Sequence, residues 1–209
     1  MAPASLFLLL TDPPYDTVHR HGGEYLRHWF RGSLSWPQIG RILGMARRRM
    51  AADGQAMVLT NEAGLPAAQA AVRAAGFARQ RLVVWDKQQP GLGSGLRHQV
   101  EYVVVGLQPG SRTLAGRDLV SVPAVASRLA GRYPTEKPIE LGRQLAAIAG
   151  VRRGDLVVDP FCGSGALLVG AADRGARVLG GDISARAVAI ATRRLAALAP
   201  RPAPGPAPG

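Results

Sequence analysis

Two short segments, far apart along the chain, combine residue types that could do chemistry together. The first, residues 12–15, has the sequence Asp-Pro-Pro-Tyr and follows an apolar run over 6–10 that predicts a buried strand. The second, residues 159–165, has the sequence Asp-Pro-Phe-Cys-Gly-Ser-Gly and follows the short apolar stretch 156–158. Because open α/β sheets bind ligands at the carboxyl ends of their strands, we expect the two segments to line one site.

The first segment carries groups that would activate an aromatic amine. The exocyclic amine of a nucleic-acid base is a poor nucleophile because its lone pair is delocalised into the ring. The Asp12 carboxylate and the Pro13 carbonyl are two acceptors that can turn this lone pair toward an electrophile, and the prolines stiffen the backbone. Tyr15 offers a flat face on which a base flipped out of its helix can stack. The segment therefore indicates methyl transfer to a base amine, against the alternative of a Pro-Pro turn capped by Asp12.

The second segment has the composition of a nucleotide-binding turn. Glycines allow the backbone to approach a ligand closely, and the helix expected to follow the turn offers free N–H groups. A dinucleotide-binding turn would have a third glycine three residues after Gly165, where this chain has Leu168, so the turn suits a ligand without a pyrophosphate. Asp182, at the end of the next predicted strand, can accept hydrogen bonds from both hydroxyls of a ribose. Cys162 has no histidine near it in sequence and is expected to be a buried thiol rather than a nucleophile.

The bulk composition limits the class of protein. The 209 residues are 47% hydrophobic, which suffices for one domain with a full core. No apolar run reaches the roughly 18 residues of a membrane span, and the single cysteine excludes an internal disulfide and fits a reducing cytoplasm. The net charge of +12 favours a polyanionic partner such as nucleic acid, although an Arg-rich composition alone would account for part of it. Only Lys87 and Lys137 among the 26 basic residues are lysines.

Strands that alternate with helices predict an α/β fold, a Rossmann-like, mostly parallel sheet with helices on both faces. Strands are expected over 5–12, 55–60, 81–85, 100–107, 156–159 and 177–183, and helices over 34–52, 66–75, 139–149, 164–174 and 184–198. We expect a single domain over 1–199 and a disordered tail over 200–209 that is rich in Pro, Gly and Ala. Within the domain, the span 108–132 shows no clear helical or strand periodicity in its hydrophobic residues.

In this order, the motifs resemble those of the β class of DNA amino-methyltransferases, which use S-adenosylmethionine to methylate N6 of adenine or N4 of cytosine. That class is recognised by its permuted order, with the catalytic tetrapeptide first and the cofactor turn last. The resemblance covers roughly residues 6–199 and rests on the segments 11–15, 84–87, 98–105, 133–138, 159–165 and 181–183. It implies a permuted methyltransferase fold. Since only about ten residues precede Asp12, it leaves open whether one edge strand of the sheet is missing.

The resemblance also implies roles for individual residues. Asp12, Pro13, Pro14 and Tyr15 would form the catalytic pocket around a flipped base. The cofactor, S-adenosylmethionine, would be held by Asp159, Pro160, Phe161, Gly163, Ser164, Gly165, Asp182, Thr135 and Lys137. Lys137 would meet the carboxylate at the methionine end, and no metal is expected. An Asp-Pro-Pro-Tyr tetrapeptide is more often associated with adenine in this family, so adenine-N6 methylation is the leading interpretation. Cytosine-N4 methylation and an inactive, cofactor-poor nucleic-acid-binding relative are the alternatives.

The expected partner is DNA, double-stranded by the resemblance, with no membrane association. Target recognition would fall in the short span 108–132. Several arginines could contact phosphate, namely Arg31, Arg47, Arg48, Arg49, Arg97, Arg112, Arg117, Arg128 and Arg132. A homodimer, and a separate specificity subunit or nuclease as in restriction–modification, are compatible with the family. RNA and protein amide methyltransferases are a weaker alternative because they typically place the cofactor turn before the tetrapeptide.

Overall fold

The computed structural model describes residues 5–14, 33–91, 95–125, 133 and 136–198. In these ranges seven strands form one sheet in the order β5-β3-β4-β2-β1-β6-β7. The strands are β1 Leu6–Thr11, β2 Met50–Thr60, β3 Arg79–Asp86, β4 Val100–Leu107, β5 Leu119–Ser121, β6 Leu156–Asp159 and β7 Arg177–Gly180. The helices are α1 Trp36–Arg47, α2 Leu65–Ala74, α3 Ile139–Ile148, α4 Ala166–Ala172 and α5 Ala185–Leu198. The predicted Rossmann-like α/β fold is confirmed.

The sheet brings the ends of several strands to one edge. β1 is parallel to both of its neighbours, so Leu9 lies beside Ala56 of β2 and beside Val158 of β6. β4 is antiparallel to β2, with Thr60 opposite Tyr102. The first residues of β4 therefore lie where β1 and β2 end. The residues that follow β1 and β6 and the residues that begin β4 thus share the carboxyl edge of the sheet.

β1 is buried on both faces, which explains why its sequence is an unbroken apolar run and not an alternating one. Leu9 belongs to the cluster that α1 and α2 cover with Ile39 and Val72. Leu10 belongs to a second cluster, which includes Leu145 of α3. All of these side chains are fully buried. Within the described ranges, no helix combines the length and the apolarity needed to cross a membrane.

Several predicted boundaries differ from the structure. β2, which was expected to begin at 55, already begins at Met50. The helical spacing over 34–52 predicted one helix, but α1 ends at Arg47 and Met50 begins β2. Met50 is buried because it lies beside Leu6 in the sheet, and not because it extends the apolar face of α1. β7 ends at Gly180 rather than at 183, so Asp182 lies in the loop after the strand.

The two edges of the sheet bear on the question of a missing strand. β5 comes from the span 108–132, where no strand was expected, and it pairs in parallel with β3, Val120 beside Trp85. A hydrogen bond from Trp85 Nε1 to the Val122 carbonyl at 2.8 Å holds it there. At the other edge β7 pairs only with β6 within the described residues, and Leu179 is 59% exposed. In the part of the chain that the structure describes, the sheet is therefore open beyond β7.

α3 and α4 pack almost backbone to backbone. A Cβ atom on Gly142 of α3 would lie 2.5 Å from the Leu167 carbonyl oxygen. A Cβ atom on Gly170 of α4 would overlap the Ile139 carbonyl oxygen and the Arg143 nitrogen. Only glycine permits such an approach. Because α4 directly follows the turn at 163–165, this packing holds the turn against α3.

Gly170→Ala should lower the free energy of unfolding by about 1–3 kcal/mol, because the added methyl group forces the two helices apart. Urea denaturation followed by circular dichroism measures the loss. Gly44→Ala is the matched control, since an added Cβ there would lie 3.8 Å from its nearest neighbour in a helix interior. It should gain up to about 1 kcal/mol from higher helix propensity. Equal effects of the two substitutions would contradict the close packing.

Candidate active site

A buried hydrogen bond joins the ends of β1 and β6. Thr11 Oγ1 donates to Asp159 Oδ1 at 2.5 Å, and the Phe161 N–H donates to the same oxygen at 3.0 Å. Thr11 and Asp159 are only 0% and 1% exposed. Asp12 follows Thr11 directly, and the glycine turn follows Asp159. This bond therefore sets the two chemical segments side by side.

The Asp159 carboxyl titrates near neutral pH. Burial raises its pKa to about 7, against the hydrogen bonds from Thr11 and Phe161, which lower it. The nearby carboxylates of Asp12 and Asp182 raise it further. Both hydrogen bonds end on one oxygen, an arrangement that a neutral carboxyl or an amide can also make. The link between the strand ends thus does not depend on the charge of Asp159.

Asp12 lies against a lysine. Lys137 Nζ is 2.5 Å from Asp12 Oδ2 and 3.7 Å from Glu101 Oε2. Burial raises the pKa of the Asp12 carboxyl above its ordinary value, while the Lys137 ammonium lowers it and the Glu101 carboxylate raises it. Within the described ranges no hydrogen bond reaches Asp12 Oδ1, so an incoming amine can use this oxygen. Lys137, which was expected at the carboxylate of the cofactor, is placed here at the acid of the tetrapeptide.

The rest of the tetrapeptide is described in part. Pro13 is buried, and the Pro14 carbonyl accepts the Leu34 N–H at 2.8 Å, which anchors the segment to the residues before α1. Outside the described residues lie Tyr15, Thr135, Arg31, Arg128 and Arg132. Their roles stay predictions.

The glycine turn is buried, and Asp182 anchors it. Gly163 and Gly165 have φ values of +49° and +77°, a left-handed conformation that favours glycine. Asp182 Oδ2 accepts the Gly163 N–H at 2.9 Å, and Asp182 Oδ1 accepts the Ser184 N–H at 2.8 Å. Asp182 therefore ties the turn to the loop after β7. Each carboxylate oxygen can accept a second hydrogen bond, so the expected contacts with a ribose stay compatible with this geometry.

Tyr133 and Cys162 lie next to the turn. A Cβ atom on Gly163 would be 2.9 Å from Tyr133 Cε1, so the ring packs directly on the glycine. Burial raises the pKa of the Tyr133 hydroxyl far above its usual value, and the carboxylates of Asp182 and Asp12 raise it further. Burial also raises the pKa of the Cys162 thiol to about 12. Cys162 is buried, as predicted, and a thiol with this pKa is protonated at neutral pH.

Arg194 of α5 links the turn to the segment before α3. Its guanidinium donates to Ser164 Oγ at 3.1 Å and to Glu136 Oε1 at 3.0 Å. Ser164 does not cap the helix that follows the turn. α4 begins at Ala166 after Gly165, with no side-chain cap, and the Ser164 hydroxyl accepts from Arg194 instead.

Sequence reasoning gave no role to several side chains that the structure brings to the site, namely Lys87, Glu101, Tyr133, Glu136 and Arg194. Lys87 Nζ lies 3.4 Å from Glu101 Oε1. A signal for the lysines was available, because Lys87 and Lys137 are the only two in an Arg-rich chain. Both contact Glu101. Glu101 itself has no local signal, since its place depends on where antiparallel β4 begins.

Arg112 is not placed to contact a phosphate, and that expectation was wrong. Its guanidinium lies 2.7 Å from Asp53 Oδ2 and 2.6 Å from Asp155 Oδ2, and 3.8 Å above the Phe7 ring. Asp155 precedes β6, so this cluster lies at the opposite end of the sheet from Asp159. Among the other candidates, exposed arginines are Arg48, Arg49, Arg97 and Arg117.

Comparisons with known proteins agree with this geometry. Residues 108–193 match a family model described as DNA methylase, of the N6/N4 methyltransferase type. Over 231 residues, the chain is 23% identical to the type II methyltransferase M2.DpnII of Streptococcus pneumoniae, a match that covers 94% of this chain and 85% of that protein. Residues 108–193 thus carry the sequence pattern of the N6/N4 DNA methylases.

Other curated proteins match this chain over shorter stretches. The type II methyltransferase M.HhaII of Haemophilus parahaemolyticus is 36% identical over 84 residues, and a tRNA (guanine(10)-N2)-dimethyltransferase of Methanothermobacter thermautotrophicus is 43% identical over 56 residues. These matches cover 39% and 27% of this chain. They span only 36% of M.HhaII and 17% of the tRNA enzyme.

Solved structures of DNA methyltransferases share the fold. The M1.HpyAVI–SAM complex has a TM-score of 0.67 at 14% identity, with 91% of this chain and 89% of that chain covered. The cytosine-N4-specific PvuII DNA methyltransferase has a TM-score of 0.70 at 14% identity, with 92% and 80% covered. At this level of identity the likeness establishes the fold.

Asp159→Asn should change how stability depends on pH. The pKa of Asp159 is about 7 in the folded protein and about 3.9 in an unfolded chain, so between these values the folded state holds a proton that the unfolded state has lost. The contribution of Asp159 is therefore greatest below pH about 4, falls as the pH rises to about 7, and is constant above. Asparagine keeps both hydrogen bonds on Oδ1 and does not ionise.

The melting temperature of Asp159→Asn relative to that of the wild type should therefore rise between pH 4 and pH 7, measured by differential scanning calorimetry of the apo protein. Asp118→Asn makes the same change at an exposed position and is the control. A difference between Asp159→Asn and wild type that stays constant with pH would show that this carboxyl does not carry a proton at neutral pH.

Proposed function

We propose that the protein transfers a methyl group from S-adenosylmethionine to N6 of adenine in double-stranded DNA. One observation carries this proposal: the hydrogen bond between Thr11 and Asp159 sets Asp12 beside the turn at 161–165. A cofactor seated on the turn and an amine bound to Asp12 would be neighbours. Direct methyl transfer requires this proximity and alignment, and it needs no covalent intermediate.

The residues at the turn fit S-adenosylmethionine. Asp182 keeps acceptor capacity on both oxygens for ribose hydroxyls, and Gly163 and Gly165 bring the backbone close without a side chain. The carboxylates of Asp12, Asp182 and Glu101 give this end of the sheet a negative character that favours a cation. When bound, the cofactor supplies an electrophilic methyl group on a positively charged sulfur.

Asp12 and Pro13 would hold the target amine. Lys137 binds Asp12 Oδ2, so Oδ1 would accept one amine N–H and the Pro13 carbonyl the other. Two fixed acceptors direct the nitrogen lone pair toward the methyl group. A charge-assisted hydrogen bond to the carboxylate also stabilises the positive charge that develops on the nitrogen. Tyr15 would stack on the flipped base.

The net charge of the chain and its similarity to M2.DpnII support DNA as the substrate. The net charge of +12 suits a polyanion, and M2.DpnII, which aligns over most of the chain, is a type II methyltransferase. Adenine is favoured because the tetrapeptide is Asp-Pro-Pro-Tyr, the form more often associated with adenine in the family. Cytosine is the second candidate, since the structurally similar PvuII enzyme is cytosine-N4-specific.

Incubation with methyl-labelled S-adenosylmethionine and duplex DNA of mixed sequence, followed by nucleoside analysis, should yield N6-methyladenine. Asp12→Ala should lower the rate by at least about 100-fold, because the amine loses the acceptor that orients it. The variant should keep its circular dichroism spectrum and bind the cofactor. N4-methylcytosine as the product would shift the assignment to the second candidate. Label in a tRNA substrate but not in DNA would overturn the proposal.

Gly163→Ala should weaken binding of S-adenosylmethionine by at least about tenfold, measured by isothermal titration calorimetry. The added Cβ would lie 2.9 Å from the Tyr133 ring and would displace either the ring or the turn. Gly154→Ala is the control, because Gly154 also has a positive φ, of +87°, but no atom within 4 Å of an added Cβ. Equal affinities for Gly163→Ala and Gly154→Ala would remove the turn from the cofactor site.

A further inference from the structure

Four side chains form a row of alternating charge that ends at Asp12. Lys87 Nζ lies 3.4 Å from Glu101 Oε1, Lys137 Nζ lies 3.7 Å from Glu101 Oε2, and Lys137 Nζ lies 2.5 Å from Asp12 Oδ2. All four side chains are largely shielded from solvent, between 14% and 23% exposed. Ion pairs in such surroundings are screened less than exposed pairs and couple more strongly.

Each member of the row comes from a different part of the fold. Lys87 follows β3, Glu101 is the second residue of β4, Lys137 precedes α3, and Asp12 follows β1. Glu101 reaches the carboxyl edge of the sheet because β4 is antiparallel to β2 and begins where β1 and β2 end. The row is therefore a product of the tertiary fold.

Glu101 has a feature that a purely structural ion pair would not need. Its Oε2 atom is buried and accepts no hydrogen bond from the described residues, although the Lys137 ammonium is 3.7 Å away. A buried carboxylate oxygen without a hydrogen bond is costly. In this position its charge attracts the same ammonium that Asp12 binds, so Lys137 is shared between two carboxylates.

We infer that Glu101, backed by Lys87, is a positioning residue that fixes the Lys137 ammonium between two carboxylates and so keeps Asp12 available to the target amine. Without Glu101, the ammonium would lose one of the two carboxylates that share it and would neutralise Asp12 more completely. A closed ion pair is a weaker hydrogen-bond acceptor than a carboxylate whose counter-ion is shared. The catalytic part of this inference rests on the proposed methyl transfer, whereas the charge coupling does not.

Among the residues that the structure describes, the charged and titratable groups that face Asp12 are Lys137 from the segment before α3, Glu101 from β4, Asp159 from β6 and the Tyr133 hydroxyl. Of these, Glu101 and Lys137 have the largest opposing effects on its charge. Removal of Glu101 and removal of Lys87 should thus act on Asp12 in opposite directions. The reversal of sign tests the charge coupling along the row, and the methylation assay tests the positioning role.

The test is a carbon-13 NMR titration of the Asp12 carboxyl in the apo protein, assigned with Asp12→Asn. Glu101→Gln should lower the pKa of Asp12 by about half a unit or more, and Lys87→Met, which leaves Glu101 uncompensated, should raise it. Glu140→Gln, which removes the same charge from the partner of Arg143, should leave it unchanged. An unchanged pKa in Glu101→Gln, or shifts of the same sign in both variants, would overturn the inference.

The same variants are then assayed for single-turnover methylation of duplex DNA. In Glu101→Gln the rate should fall about tenfold, with cofactor affinity changed less than about threefold, and the acid limb of the pH–rate profile should move with the pKa of Asp12. If Glu101→Gln does not fold, the inference is tested with Lys87→Met, in which the pKa of Asp12 should rise. The expected NMR shifts in a protein that methylates no DNA would refute the proposed function and leave the charge coupling standing. A cofactor affinity that falls in parallel with the rate would overturn the positioning role.

Discussion

The site depends on one buried contact between two strand ends. Thr11 and Asp159 are 148 residues apart, and their side-chain hydrogen bond links β1 to β6 at the carboxyl edge. The net worth of such a bond is only about 1 kcal/mol, but the loss of either partner would leave a buried polar group unsatisfied, at a cost of about 1–3 kcal/mol. The proposed function needs such a contact, because the segments at 12–15 and 159–165 are too far apart in sequence to be held together by chain proximity.

Hydrogen bonds from Asp182 and Arg194 fix the position of the glycine turn relative to the segment before α3. Asp182 accepts two backbone N–H groups and fixes the turn to the loop after β7. Arg194 then connects Ser164 of the turn to Glu136, the neighbour of Lys137. A displacement of the turn would therefore be transmitted through a guanidinium to the residue that contacts Asp12. The glycine turn and Asp12 are therefore linked by contacts on both sides of the site.

Elements marked by local sequence patterns were predicted correctly more often than features that depend on contacts between distant residues. β4, β6 and the start of α3 agree with the sequence prediction, because unbroken apolar runs and the proline at 138 mark them within a few residues. β5 was missed, since in its three residues only Val120 is buried and Leu119 and Ser121 are exposed, which leaves no period to detect. The two chemical segments were recognisable because each is a short string at a strand end. Their contact through Thr11, and the approach of Glu101, follow from strand order and could not be seen locally.

The use of lysine beside Asp12 follows from the shape of the site. Two arginines among the described residues each bond several acceptor atoms: Arg112 spans Asp53 and Asp155, and Arg194 donates to both oxygens of Glu136. A guanidinium occupies several acceptor atoms with its planar fork, whereas an ammonium is a compact charge on a flexible stem. Lys137 therefore neutralises only one oxygen of Asp12 and leaves the other open. An arginine at 137 would favour bidentate binding to Asp12, and the carboxylate would lose the oxygen that the proposed function assigns to the amine.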